Sequence, residues 1–339
     1  MSNRTNTTKA DSFLVTWTVQ PGENAMRLDL FLKEKYRRLS REYLQKAIKE
    51  GRVTLNHEIA KPSRLLRTGD KVYVLSVKKE EPEVDFNYKI LYEDESILVV
   101  DKPGNLPVHP SGRYFFNTLL TQLQVVNENE VDQEKKFHIV HRVDRETSGV
   151  LVMAKTKEAA ASLVDQFTKR QTEKEYLAIV RGVLKKDTYS INAALAKDPR
   201  AEISIKMHVV ELGADGNPLY VPKQEMMPAS TEIEVIERLK GYSIVRCKPH
   251  TGRQHQIRVH LDHIGYPIIG DKLYGAPADL FLKNIMKTIS LEVAPGYFLS
   301  RHALHAAKLR LKHPATGKMM QFESSFPEEL ENFLKHVRV

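Results

Sequence analysis

The chain has 339 residues, enough for about two domains of ~150 residues, each able to bury a core without disulfide or metal support. A single cysteine, Cys247, excludes an internal disulfide and a thiolate zinc cage, while 28% charged residues and no apolar run near ~20 residues exclude a membrane-spanning helix. Lysine and arginine number 52 against 43 aspartates and glutamates, a net charge of +9, and a reducing, cytoplasmic setting is expected.

Residues 1–12 are polar and Thr-rich, lack the apolar core of a secretory signal, and read as a tail. Residues 27–79 then hold 15 basic side chains against 6 acidic ones, so this short stretch carries the whole net charge. That is the electrostatic footprint of a phosphate-backbone binder, since each neutralised phosphate releases counterions. Leu28, Phe31 and Leu32 fall at helical spacing; Ser40 is placed to cap a second helix with the stripe Tyr43, Leu44, Ala47 and Ile48, and Gly51 to end it. Lys46 and Lys49 fall off that stripe. VTLN and GDKVYVLSV follow as strands around polar turns.

From RLDLFLKEKYRRLSREYLQKAIKEGRVTLN to KPSRLLRTGDKVYV, residues 13–79 resemble the S4 RNA-binding domain along nearly its whole length. The resemblance implies that the second helix and the turn after it lie on structured RNA, with Arg38, Arg41, Lys46, Lys49 and Arg52 as contacts.

Residues 80–89 turn acidic and contain Pro82, which suits a linker, and a second domain is expected over 90–327 with a C-terminal tail at 328–339. ILYEDESILVVDKP reads as strand, turn, strand; residues 157–167 read as a helix with the stripe Ala160, Leu163, Val164 and Phe167; KEYLAIVRG, STEIEVIER and YSIVRCK alternate as strands. Many strands with few helices between them predict an α+β fold, a small αβ module followed by a domain with a mixed, largely antiparallel sheet. The polar loops 125–136 and 197–223 are places for either specificity or tolerated insertion.

Three segments combine polar density with rigid neighbours: HRVDRETSGVLVMAK, KEYLAIVRG and HTGRQHQIRVHLDHIGYPIIGD. In the first, Asp144 stands between Arg142 and Arg145, and neighbouring guanidiniums keep a carboxylate ionised. A surface ion-pair cluster is the bland alternative. In the third, His255, Arg258 and Asp262 recur at helical spacing beside the stripe Ile257, Leu261 and Ile264, with Gly265 to end the helix. His250, His255, His260 and His263 do not form zinc-ligand spacing, and no metal is expected. Tyr176, in an alternating strand, has core packing as its default role. Glycine-rich phosphate loops of the GxxxxGKS or GxGxxG kind are missing from the sequence.

Taken in order, LVVDKPGNLPVHP, HRVDRETSGVLVMAK, HTGRQHQIRVHLDHIGYPIIGD and LHAAKLRLKHPATG resemble the motifs of the RluA family of pseudouridine synthases from about Ile90 to Pro327, with Val143 where leucine is usual. The resemblance implies isomerisation of specific uridines in structured RNA: the C1′–N1 bond breaks, the uracil turns, and C5 bonds to C1′. Such a reaction needs no cofactor. By position, Asp144 matches the family's catalytic aspartate, Arg258 its basic partner and Tyr176 the tyrosine that stacks on the base. His141, Arg142 and Thr147 fall to substrate binding, with Arg142 at the position that braces the gap left by the everted base. Whether Asp144 attacks C1′, adds to the base or takes a proton from C2′ stays open at this level. The S4-bearing branch implies large-subunit ribosomal RNA as the partner, with tRNA as the alternative, no membrane, and a monomer by default. A non-catalytic S4-type RNA-binding or ribosome-assembly factor is the rival from another class.

Overall fold

The computed structural model describes residues 12–36, 40–77, 81–114, 116–128, 137–276 and 299–338. They divide into two compact units, Met1–Glu81 and Pro82–Val339.

The first unit is a four-stranded sheet of order β1-β4-β2-β3 with two helices: β1 (Ser12–Thr18), α1 (Leu28–Lys35), α2 (Arg41–Lys49), β2 (Val53–Leu55), β3 (Glu58–Ile59) and β4 (Lys71–Val77). Its core joins Leu28, Phe31 and Leu32 of α1 to Leu44, Ala47 and Ile48 of α2 and Val53 and Val72 of the sheet. The Ser40 side chain caps α2 by accepting from Tyr43 N at 3.1 Å, and Gly51 turns the chain after it with φ +72°. The apolar stripe of α2 is narrower than its spacing implies. Tyr43 is 41% exposed, with the Arg52 guanidinium 5.4 Å from its ring centroid. Asp29 is fully buried in the first turn of α1 and accepts from Arg27, Arg41 and Gln45, an ionic tie between the two helices.

The second unit is built on a ten-stranded mixed sheet. In chain order its elements are β5 (Lys89–Glu93), β6 (Ile97–Lys102), α3 (Leu119–Glu128), β7 (His138–Ile139), β8 (Ser148–Ala154), α4 (Lys157–Thr168), β9 (Glu173–Arg181) and β10 (Thr188–Asn192). There follow β11 (Leu195–Lys197), β12 (Met207–Val209), β13 (Ser230–Leu239), β14 (Tyr242–Pro249), α5 (Gln256–His263), β15 (Leu304–Lys312), β16 (Met319–Glu323) and α6 (Glu328–Val337). The sheet runs β10-β13-β14-β9-β15-β8-β6-β5, with β16 paired to β15 and β7 to β8. Among the described strands its pairs are antiparallel except β8 with β15. Gly149 permits that parallel pair: at φ +107° a side chain there would collide with the backbone of Ala306.

Three expectations need correction. Residues 328–337 are not a tail but helix α6, because Leu330, Phe333 and Leu334 recur at helical spacing and are buried in the main core. The stretch 80–89 is only partly a linker, since Val84 and Tyr88 pack on the core under α3 and β5 begins at Lys89. On α4, Leu163 is buried and Ala160 and Phe167 pack on the same core, but Val164 is 45% exposed, and Ala159 and Gln166 are buried as well. Gln166 turns inward because its amide clasps the backbone of Lys312 in both directions, at 2.9 Å each way. In the region 197–223, the hairpin β11–β12 and the buried Val210 and Val221 give the segment a core of its own.

Candidate active site

Asp144, Tyr176 and Arg258 line one cleft of about 500 Å³. Three elements converge there: the loop that enters β8, the start of β9, and α5 after β14. Two strand pairings hold these pieces together, Tyr176 opposite Cys247 of β14 and Tyr176 opposite Ala306 of β15.

Arg258 Nη1 donates to Asp144 Oδ2 at 2.8 Å. Burial by itself raises the Asp144 carboxyl, but the Arg258 guanidinium, with His255 and Arg142 nearby, outweighs it and holds the group below the ordinary carboxylate value. The carboxylate is therefore anionic at neutral pH although only 28% of its side chain is exposed. Arg258 is itself 7% exposed, and its other edge is clamped by the fully buried Asp271, through Nε to Oδ2 at 2.6 Å and Nη2 to Oδ1 at 2.8 Å. Asp271 is fixed in turn by the amides of Leu273 and Tyr274, both donating to Oδ1. A planar fork held on one side has its remaining N–H aimed, and here it is aimed at Asp144.

Tyr176 packs against the main core with its ring toward the cleft, and its hydroxyl has no partner among the described residues. Burial and then the charge of Asp144 push the phenol up, so it stays protonated.

The loop bearing Asp144 is fastened carbonyl by carbonyl. Thr147 N donates to Asp144 O, Leu106 N and Lys102 Nζ to Arg145 O, and Arg301 Nη1 to Glu146 O. Lys102 is wholly buried, and its ammonium also donates to Pro103 O at 2.8 Å and Leu106 O at 3.0 Å. Burial, then the charge of Arg301, pushes it down to about 7, while three carbonyl acceptors match the three N–H bonds of the charged form. Glu146 lies beneath the loop with Lys272 and Arg145 on Oε1 at 2.6 and 2.7 Å, and Arg301 reaches from Glu146 O to Glu329 of α6.

The residues expected to bind substrate divide. Arg142 is exposed at the cleft and has no partner among the described residues. His141 also lines the cleft, but it stacks on Phe167 and accepts from Val152 N, and burial, then Lys174, pushes it down to about 3. Thr147 also lines the cleft, but it is 1% exposed and its hydroxyl is engaged by His302 Nε2 at 2.8 Å.

Of the expected RNA contacts in the first unit, Lys46 and Lys49 are exposed on α2, Arg41 is tied to Asp29, and Arg52 is paired with Glu50 at 2.6 Å. Arg38 lies outside the described residues. The histidines go separate ways. His260 is fixed by Thr231 and Ala193 O, His250 faces Glu232, and His255 meets Tyr274. Sequence reasoning missed Asp271, Lys102, Arg301, Tyr274 and Lys174. Their one available signal is a charge or phenol set in an apolar run, as in ILVVDKP and YPIIGDKLYG.

Comparison with known proteins identifies the family. The family described as RNA pseudouridylate synthase matches residues 96–263, and the S4 domain matches residues 26–72. An RNA pseudouridine synthase of Aquifex aeolicus strain VF5, itself uncharacterized, is 38% identical over 315 residues, covering 90% of this chain and 92% of its own. The chain belongs to the RNA pseudouridine synthase family. The ribosomal large subunit pseudouridine synthase D of Xanthomonas campestris pv. campestris is 34% identical to this synthase over 331 residues, 97% of this chain and 94% of that one. Among solved structures, human RNA pseudouridylate synthase domain containing 4 matches with a TM-score of 0.56 and 25% identity, over 74% of the synthase and 92% of that chain. The enzyme is thus an isomerase that converts uridine to pseudouridine in RNA. No helix among its described residues is long and apolar enough to cross a membrane.

Proposed function

We propose that the synthase modifies large-subunit ribosomal RNA in the cytoplasm as a monomer, with Asp144 as the catalytic carboxylate, Arg258 as its orienting partner and Tyr176 as the platform for the base. The observation that carries the reading is the contact of Arg258 Nη1 with Asp144 Oδ2 at 2.8 Å, in a cleft that Tyr176 also lines. With Oδ2 taken, Oδ1 is the oxygen free to meet an everted nucleoside, and it does so against the ribose. Cleavage of the C1′–N1 bond builds positive character on the sugar, which a fixed anion in a partly dry site stabilises. The uracil stacks on Tyr176, turns and bonds through C5; the C5 proton leaves and N1 gains one, so the atoms balance.

Extruding the base costs a few kcal/mol of stacking, and Arg142, an exposed cation at the cleft, braces the gap. The first unit, residues 13–79, docks structured RNA through Lys46, Lys49 and the neighbouring basic side chains, including Arg38, Arg41 and Arg52. The target reading is supported by the relative named ribosomal large subunit pseudouridine synthase D, which aligns over 97% of the chain.

The test is Asp144→Asn, assayed by tritium release from RNA labelled at uridine C5. Fold and RNA affinity are expected to persist while product formation is lost. Turnover by this variant would refute the assignment of Asp144, and pseudouridine mapping of total RNA with and without the gene decides between ribosomal RNA and tRNA.

A further inference from the structure

Asp144 presents two oxygens, and the described residues hydrogen-bond one of them. Arg258 takes Oδ2, whereas His255 Nε2 stands 4.0 Å from Oδ1, beyond hydrogen-bond reach. The opposite edge of the His255 ring decides its tautomer. The Tyr274 oxygen lies 3.0 Å from Met207 N, an obligatory donor, and therefore accepts there. Tyr274 is 3% exposed, and the only acceptor among the described residues for its own proton is His255 Nδ1, at 2.8 Å. Nε2 is consequently the nitrogen that bears the ring hydrogen. Burial, then the charge of Arg258, pushes the imidazole down to about 4, so it stays neutral and acts as a fixed N–H donor.

The backbone sets where the ring lies. His255 lies in the left-handed region at φ +57° and ψ 15°, immediately before α5, a conformation that costs on the order of 1 kcal/mol in a residue other than glycine. The ring is kept there at the wall of the cleft.

A donor and an acceptor 4.0 Å apart leave room for one oxygen at ~2.8 Å from each, subtending nearly a right angle. The group that fits must accept from Nε2–H and donate to Oδ1, which describes a hydroxyl. Within an RNA chain the 3′ and 5′ oxygens are esterified and the ring oxygen has no proton, so an internal ribose offers a single hydroxyl, the 2′-OH. It is also the feature that distinguishes RNA from DNA. We infer that His255 Nε2–H and Asp144 Oδ1 together bind the 2′-hydroxyl of the everted uridine, which makes His255 a specificity residue for ribose over deoxyribose. The inference rests on the proposal above that Asp144 faces the ribose.

The experiment uses the full-length synthase and an RNA fragment containing the mapped target uridine. The same fragment with 2′-deoxyuridine at that position serves as a competitive inhibitor, which reads affinity whether or not it turns over. The deoxy competitor is expected to bind the wild-type chain about tenfold more weakly than the ribo fragment. In His255→Phe this discrimination shrinks to about twofold or less. In Tyr274→Phe, which keeps the imidazole but frees its tautomer, it falls between the two. Equal weakening of both fragments in His255→Phe marks a purely structural ring and overturns the inference; so does discrimination that survives the substitution, which puts a water or another group between His255 and the sugar. Failure of the parent reading is separately visible, as turnover by Asp144→Asn.

Discussion

Replacing Asp271 with asparagine probes the least exposed part of the site. The substitution preserves shape and leaves an amide oxygen to accept from Leu273 N and Tyr274 N, but it turns the two charge-assisted contacts with Arg258, at 2.6 and 2.8 Å, into at most one neutral contact. Arg258 is then a 7% exposed guanidinium whose one remaining carboxylate is Asp144. Removing one partner of a buried pair typically costs about 3–5 kcal/mol, because the other charge stays buried. The urea midpoint of unfolding should fall accordingly. Freed on one edge, the guanidinium no longer holds Nη1 against Asp144, and a displacement of about 1 Å costs on the order of 100-fold in rate. Asp271 is fully buried and touches no RNA, so KM should change by less than about twofold while kcat falls. Tritium release under single-turnover conditions, well below the melting temperature, separates the two parameters. Wild-type kcat, or a loss confined to KM, would refute the argument that Asp271 positions Arg258.

Three further expectations concern Lys174 and Gly149. Lys174 lines the cleft with one long bond to Thr251 O at 3.3 Å, and burial, then Arg170, pushes it down to about 8. RNA affinity should weaken as pH rises through about 8 and the ammonium is lost, and Lys174→Arg should abolish that trend; an unchanged profile would show that Lys174 does not face phosphate or base. Because the folded chain holds fewer protons than the unfolded one between about 8 and 10.5, the same group should make the wild-type protein more resistant to urea across that window. Gly149→Ala should destabilise the domain by more than ~3 kcal/mol, since the added methyl meets the Ala306 backbone at a φ of +107°. Soluble, active Gly149→Ala protein would show that β8 and β15 are less closely apposed.

Local pattern made much of the first unit readable. Leu28, Phe31, Leu32, Ser40 and Gly51 behave as their spacing and backbone preferences dictate, because short helices and their caps are decided by near neighbours. The stripe of α4 holds at Ala160, Leu163 and Phe167 and fails at Val164, while the inward turn of Gln166 depends on Lys312, 146 residues away. Asp144, Tyr176 and Arg258 were legible through motif order. The groups that aim them were not: Asp271, Tyr274, Lys102 and Arg301 are identifiable only once the chain has folded around them, since a buried charge has meaning through its partner. The tail assigned at 328–339 failed for a simpler reason. Leu330, Phe333 and Leu334 already carry a helical period there.

The position of β15 has a consequence for how the enzyme comes into being. Strand 304–312 lies between β9 and β8, and so joins the half of the sheet that leads to Tyr176 and Arg258 to the half that leads to Asp144. Two of its partners, β8 and β9, are separated from it by more than a hundred residues of sequence, and pairings of such high contact order are the slow ones to form. The Asp144–Arg258 contact joins side chains carried on the two sides of that strand. Activity regained on refolding should therefore lag the regain of secondary structure, because the site is complete only with the central strand in place.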